Sequence, residues 1–409
     1  MARAMKDSGI EWIGEIPEGW MVSKLQYFID CYDDRRVPVD AAERTPGPYP
    51  YWGAGSIMDY VNDYLFDEEL LLLGEDGAPF FDYTRPVAFY SNEKIWVNNH
   101  IHVLKPHADI CIKYLLHYLN NVDYKSYING SILNKLTQSN MNKIALLLPP
   151  VSEQQIIADY LDTECAKIDA VIEQTRSSIE EYKKLKQSVI TQAVTKGIRP
   201  GRKMKDSGVE WIGEIPEEWA TIKIKWLLDE RNERSEDGRE ELLSMSQKYG
   251  LIPTKDMDMV PNMASSFVGA KVCYPGDLVF NKLKAHLGVF ALSRYHGLVS
   301  PDYAVYRSKG KANLKYLEYL FKTPHYISEF RKKSTGVGAG LTRLYTSGLY
   351  SIYCSNPPLQ EQHEIVEFLD LKTAEINALI QQKGTIITEL ETYKKSLIFE
   401  YVTGKKEIR

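Results

Sequence analysis

The chain lacks most of what would place it outside an ordinary globular class. No apolar run approaches the ~18 residues of a membrane-spanning helix, and no signal-peptide pattern follows Met1. The longest apolar burst, Leu70 to Leu73, runs straight into Gly74-Glu75-Asp76 and predicts a buried strand. Cysteine is scarce: five in 409 residues (Cys31, Cys111, Cys165, Cys273, Cys354), odd in number and without CxxC spacing. That argues against a disulfide or zinc framework and for a reduced, cytoplasmic protein. Neither HExxH nor a Walker lysine motif occurs. Positive charge is not in excess either, since 50 Lys and Arg against 55 Asp and Glu leave a net −5. Such a chain does not hold nucleic acid by bulk charge; local patches or a basic partner must supply any phosphate grip.

What is present is a repeat. "MKDSGIEWIGEIPEGW" from Met5 returns as "MKDSGVEWIGEIPEEW" from Met204, an offset of 199. "LPPVSEQQIIADYLD" from Leu148 returns as "NPPLQEQHEIVEFLD" from Asn356, an offset of 208 that persists to Val194-Thr195 and Val402-Thr403. Each half is therefore a shared opening, a divergent middle and a shared tail.

The tails predict long helices. Ser152 and Gln155 form a capping-box pattern after Pro149-Pro150. Apolar residues then recur in steps of four and three: Leu161, Cys165, Ile168, Ile172, Ile179 and Tyr182, and again Leu369, Ile376, Ile380, Ile387, Leu390 and Leu397. This heptad spacing predicts that the two helices pair as a coiled coil. Gly197 and Pro200 end the first and Gly404 the second. The middles read as short strands cut by glycine turns, each with one short helix, "IKYLLHYLNN" and "LKYLEYLFKT". The expected fold class is α+β, divided as 1–149, first β-rich domain with its opening; 150–197, first long helix; 198–357, second domain with its opening; and 358–409, second long helix.

Candidate sites are thin. Asn356-Pro357-Pro358-Leu359 resembles the amine-holding motif of amino-methyltransferases, but lacks the aromatic that stacks on a flipped base. It reads as a rigid break before a helix. Gly336-Val-Gly338-Ala-Gly340 and its counterpart from Gly130 read as turns, since no dinucleotide-type helix follows. His100 and His102 share a strand face, and His107 and Cys111 have helical spacing, but neither pair has further metal-type ligands nearby. Glu75 and Asp76 read as a turn without an obvious partner. No catalytic, cofactor or metal constellation emerges.

Basic and aromatic residues do interleave. Lys282, Lys284 and His286 fall on one face of a strand or loop, with Arg294 and Tyr295 following, and Arg331, Lys332, Lys333 and Arg343 further on. The first half offers Lys125, Lys135 and Tyr127, and Asn98, Asn99 and His100 suit base-edge or phosphate contacts. As a group these point to nucleic acid; singly, each is ordinary surface charge.

These residues resemble, over the whole length, the specificity subunit of type I restriction–modification enzymes. The resemblance rests on the two openings, on "PPVSEQQIIADYLD" and "PPLQEQHEIVEFLD", on "YPGDLVFNKLKAHLGVFALSRYHGLVSPDYAVY", and on "GSILNKL" and "GAGLTRL". It implies two target-recognition domains separated by two antiparallel helices, each domain reading one half of a split, asymmetric double-stranded DNA site. It implies no chemistry on this chain. Two methyltransferase subunits would bring S-adenosylmethionine; restriction subunits would bring the ATP- and Mg-dependent translocase and the nuclease. Two equivalent apolar patches, Trp12, Ile13 and Trp20 with Trp211, Ile212 and Trp219, would then either touch the methyltransferase or clamp each domain to the helices. The rival readings are a stand-alone DNA-binding regulator and an enzyme with methyltransferase or nuclease activity of its own.

Overall fold

The computed structural model describes residues 3–82, 84–128, 134–258, 267–336 and 342–408. The tails are helical over Val151–Lys196 and Leu359–Val402. Each helix stops at a glycine in the left-handed region, Gly197 at φ 78° and Gly404 at φ 70°, which a residue without Cβ enters freely. The Ser152–Gln155 capping box does not form, because both residues already lie inside the helix and Gln155 turns forward to Asp159 (2.8 Å). Its neighbour acts instead. Buried Gln154 donates to the Pro149 carbonyl (3.0 Å) and accepts from the Cys111 amide (2.8 Å). Gln362 repeats this on Pro357 (2.9 Å) and Asn313 (2.8 Å).

The chain divides into two compact units, Met1–Ser177 with Lys383–Arg409, and Ser178–Gln382. Each takes half of each long helix. Within the first unit the helices run antiparallel: Tyr160 meets Tyr401, Asp169 meets Lys394 (2.7 Å) and Arg176 meets Glu391 (2.9 Å). Within the second, Lys186 meets Asn377 (2.8 Å) and Arg199 meets Glu364 (2.7 Å). Leu161, Ile168, Ile172 and Leu397 join the first unit's core, and Ile190, Leu369 and Ile365 the second's. Ile179, Tyr182, Ile380, Ile387 and Leu390 are half-buried. The heptad seam is driest where a domain covers it.

Each unit centres on a four-stranded antiparallel sheet of the same strand order. The first is Ile29–Cys31, Ile101–Pro106, Leu70–Gly74, Ala88–Ser91; the second is Leu228–Arg231, Tyr303–Ser308, Leu278–Asn281, Phe290–Leu292. Leu70–Gly74 is the buried strand its apolar run predicts. It needs to be apolar on both faces, because alternate residues enter different cores. Leu71 and Leu73 face the helix Ile112–Leu119, while Leu70 and Leu72 pack with Trp52, Phe66, Ile95 and Val97. In the second unit Leu278 and Phe280 share a core with the helix Leu314–Phe321, and Val279 sits with Leu243, Cys273 and Val299. The short helices dock alike. Tyr114 donates to the Val402 carbonyl (3.2 Å) and Tyr316 to that of Val194 (3.0 Å), at matching ends of the long helices. Sequences that diverge in the middles thus build one framework twice.

Candidate nucleic-acid interface

The openings are fixed first. Trp20 and Trp219 are fully buried, and their indole N–H groups donate to Glu153 (3.1 Å) and Glu361 (3.0 Å), at the starts of the long helices. Arg3 and Arg202 reach the same two carboxylates and lie over the same two indoles. Glu153 pulls the Arg3 pKa up, and Glu361 does so for Arg202; burial opposes both. Ile13 and Ile16 are buried in the first core and Ile215 in the second. Trp12 leans on Tyr118 and Phe399, and Trp211 on Tyr326. This burial favours the clamp of the two readings. Ile13, Trp20 and Trp219 have no surface to offer a partner, while Trp12, Trp211 and Ile212 keep part of theirs. Exposed aromatics appear instead at Tyr27 (61%) and Trp226 (58%), 199 positions apart. Each runs straight into apolar residues, Phe28-Ile29 and Leu227-Leu228, so in the sequence both look like core.

In the second unit the basic candidates separate into two places. Lys282 directly follows the strand Leu278–Asn281. Its ammonium donates to the Pro301 carbonyl (3.0 Å), and burial, then Lys271 and Arg343, lower its pKa. Lys284 is exposed, and His286 sits half-buried in the tight turn Ala285–Leu287, so the three do not share one strand face. Arg343 joins Lys282, because the Leu344 amide donates to the Lys282 carbonyl (2.9 Å); its guanidinium holds Asp302 at 2.5 Å. Arg294 and Tyr295 lie past the other end of this hairpin, since Phe280 pairs with Phe290 and Leu278 with Leu292. There they line a cavity of about 910 Å³ with Lys248, Tyr249 and Lys322. Lys332 and Lys333 are exposed in the last turn of the helix Pro324–Lys333, Lys332 on Glu329 (2.6 Å).

In the first unit Lys135 reaches the end of the matching strand. Glu75 and Asp76 are more than a turn: Glu75 holds Arg36 (2.7 Å) and Lys135 (3.2 Å), and Asp76 holds Lys135 (3.1 Å) and His100 (3.3 Å). Asn99 and His100 are exposed beside them. Asn98 is not available for a base edge, being 4% exposed with its carbonyl oxygen taken by the His100 amide (2.8 Å). Lys125 stands apart, exposed beside Asp123.

Metal chemistry is disfavoured at the one candidate cluster found among the described residues, Cys31, Asp33 and His102. His102 does not share the exposed face of His100; it is buried with Nδ1 on Asp33 (2.5 Å) and Nε2 on the Leu136 carbonyl (2.8 Å). Arg36 adds a fixed cation beside Asp33 (3.3 Å). Burial raises the Asp33 pKa, but His102 and Arg36 outweigh it and hold the carboxyl below its usual value. The Cys31 thiol is pushed up to about 11 by burial and Asp33. Asn356 ends a strand with its side chain on Gln362 (3.1 Å), as a structural break requires. Of the two glycine turns, Gly336 pairs in a short hairpin, while Gly338, Gly340 and Gly130 lie outside the described residues.

Two unlike β-rich domains, mounted by the same residues on the same kind of helix ends, define a duplicated recognition protein. The chain belongs to the family of type I restriction modification DNA specificity domains, whose model matches residues 17–181 and 216–391. It is 25% identical to a putative type I restriction enzyme specificity subunit, S.HindORF215P, of Haemophilus influenzae, over 90% of this chain and 89% of that one. It is 23% identical to the MjaVIII specificity subunit of Methanocaldococcus jannaschii, over 96% and 94%. Among solved structures, a chain from work on complex assembly and conformational transition of the type I R-M system aligns with a TM-score of 0.68 at 14% identity, over 96% of this chain and 99% of that one. The HsdS subunit of Thermoanaerobacter tengcongensis gives 0.50 at 14%, over 96% and 98%. No helix among the described residues is long and apolar enough to cross a membrane.

Proposed function

We propose that this chain is the DNA sequence-specificity subunit of a type I restriction–modification complex, reading a bipartite, asymmetric site with one domain per half-site. The observation that carries this is the contrast within the repeat. The two central sheets share strand order, and the Gln154/Gln362, Tyr114/Tyr316 and Trp20/Trp219 anchors recur. The side chains at the sheet ends differ. A duplicated mount needs a partner present twice, and different ends read different bases.

On this reading the chain supplies no chemistry. It acts in the cytoplasm, on DNA, with two methyltransferase subunits and the restriction subunits. Tyr27 and Trp226, equivalent and exposed, are the aromatic positions that a twice-present methyltransferase would use. The test is methylated-site sequencing of host DNA with Lys282, Lys284 and His286 changed to alanine. The second half-site should relax while the first stays fixed, since a specifying contact is worth roughly 1–3 kcal/mol. An unchanged pair of half-sites would show these residues to be plain surface.

A further inference from the structure

The sheet ends of the two units match in backbone pairing. Leu136 donates its amide to the Glu75 carbonyl (2.9 Å) as Leu344 does to that of Lys282 (2.9 Å). Lys135 therefore corresponds to Arg343, and Glu75 to Lys282. Gly74 pairs with Ile101 and Asn281 with Tyr303, so His100 corresponds to Asp302. Around the shared cation everything else has changed. Lys135 is held by Glu75 and Asp76, which follow the central strand. Arg343 is held by Asp302, which precedes the neighbouring strand, and Lys282 stands where Glu75 stood. A salt bridge kept for stability alone has no reason to retain its cation while its carboxylate moves to another strand and the adjoining charge inverts.

Both cations also keep capacity to spare. Their side chains are 44% and 24% exposed. An ammonium has three donors, of which the two carboxylates take two. The Arg343 bond to Asp302 uses Nη2 of a guanidinium that has five donors; its Nε is buried and without a protein partner among the described residues, so the spare capacity lies in the exposed Nη groups. The carboxylates aim each cation without exhausting it. Two domains that specify different bases meet one thing in common on duplex DNA, the phosphate backbone.

We infer that Lys135 and Arg343 are matched phosphate holds, one per half-site, and that the adjoining position, Glu75 or Lys282, is where the two domains differ in what they read. The inference rests on the units being DNA-recognition domains. Its test uses the full chain assembled with its methyltransferase subunits, carrying K135Q, K135R, R343Q or R343K. Binding to cognate and non-cognate duplexes of equal length is measured across a salt series, and methylated sites are sequenced.

Each glutamine variant should weaken binding to both duplexes by the same factor, lower the salt slope by about one, and leave both half-sites unchanged. The charge-keeping variants should retain the wild-type slope. A half-site that loosens in K135Q or R343Q overturns the inference, because the residue then reads a base. So does an unaltered slope, or an equal loss in R343K and R343Q, which marks a structural ion pair. If the wild-type complex binds both duplexes alike, the recognition reading itself fails, a result separable from all of these.

Discussion

Glu361 and Glu153 have the same partners and different surroundings. Glu361 is 5% exposed at its side chain and accepts from Trp219 and Arg202; Glu153 is 26% exposed and accepts from Trp20 and Arg3. Loss of Glu361 leaves the buried Arg202 guanidinium with only the exposed Glu218 as partner (3.0 Å), about 3 kcal/mol or somewhat more, whereas loss of Glu153 frees an Arg3 that water can reach, nearer about 1–3 kcal/mol. In denaturant titrations Glu361→Ala should therefore cost clearly more than Glu153→Ala; equal losses would mean that the clamp's strength does not follow its burial. A second residue sets a pH dependence. His117 lies 2.8 Å from Asp162, and its pKa is lowered, by burial first, with Lys394 and Lys113 assisting and Asp162 opposing. The folded ring takes a proton less readily than the unfolded one. Its contribution is thus fully present above the unfolded value of about 6.5 and is lost as pH falls below it. The melting temperature of the wild type should fall more steeply than that of H117Q between about pH 7.5 and 5.5; parallel profiles would exclude His117 as the source.

At the scale of elements, the long helices are expected to set the interval between the half-sites. A heptad inserted after Thr175 and another after Lys383 keep the apolar seam in phase and lengthen each helix by about 10 Å. The unread spacer should grow by roughly three base pairs, at about 3.4 Å each, with both half-sites retained. A stable, active complex that still selects the original spacer would refute this. The helices were legible in the sequence because their signals are local: a heptad runs along one segment, and Gly197 and Gly404 stand within two residues of its end. The repeat was legible for the same reason. The clamp was not. Arg3 and Glu153 are 150 positions apart, and nothing in "MARAMK" marks its arginine as the partner of a distant carboxylate. The repeat did hold a clue, since Arg3 and Arg202 share the offset of the openings, and Glu153 and Glu361 that of the tails. The basic candidates were legible as a composition and not as a place. Which of them meet is decided by strand register, which sets Arg343 beside Lys282 and sends Arg294 to the far end of the hairpin.

At the scale of the whole chain, the repeat makes the first unit from both ends of the sequence. The close of the second helix packs on the first opening, where Gly404 lies so near Pro17 that a Cβ there would meet its ring at 2.4 Å, and Lys405 donates to the Glu15 carbonyl (2.9 Å). In the second unit Gly197 approaches Trp219 and Glu361 in the corresponding way, and there the chain simply continues through Gly201 to Met204. One junction is covalent and the other is held by non-covalent contacts. The Arg3 guanidinium already feels the charge of Glu407, so the two ends of the described chain are electrostatic neighbours. A permutant opened at Gly201, with the old ends joined by a short glycine–serine linker, exchanges the two junctions. Closing so short a gap costs little chain entropy, and the clamps at Glu153 and Glu361 are left intact. Such a chain should melt within a few degrees of the original and direct methylation to the same site, as read by sequencing. If it fails to fold with a linker long enough to span the gap, the connection through Gly201 does more than join two equivalent halves, and the symmetry of the packing does not extend to how the chain reaches it.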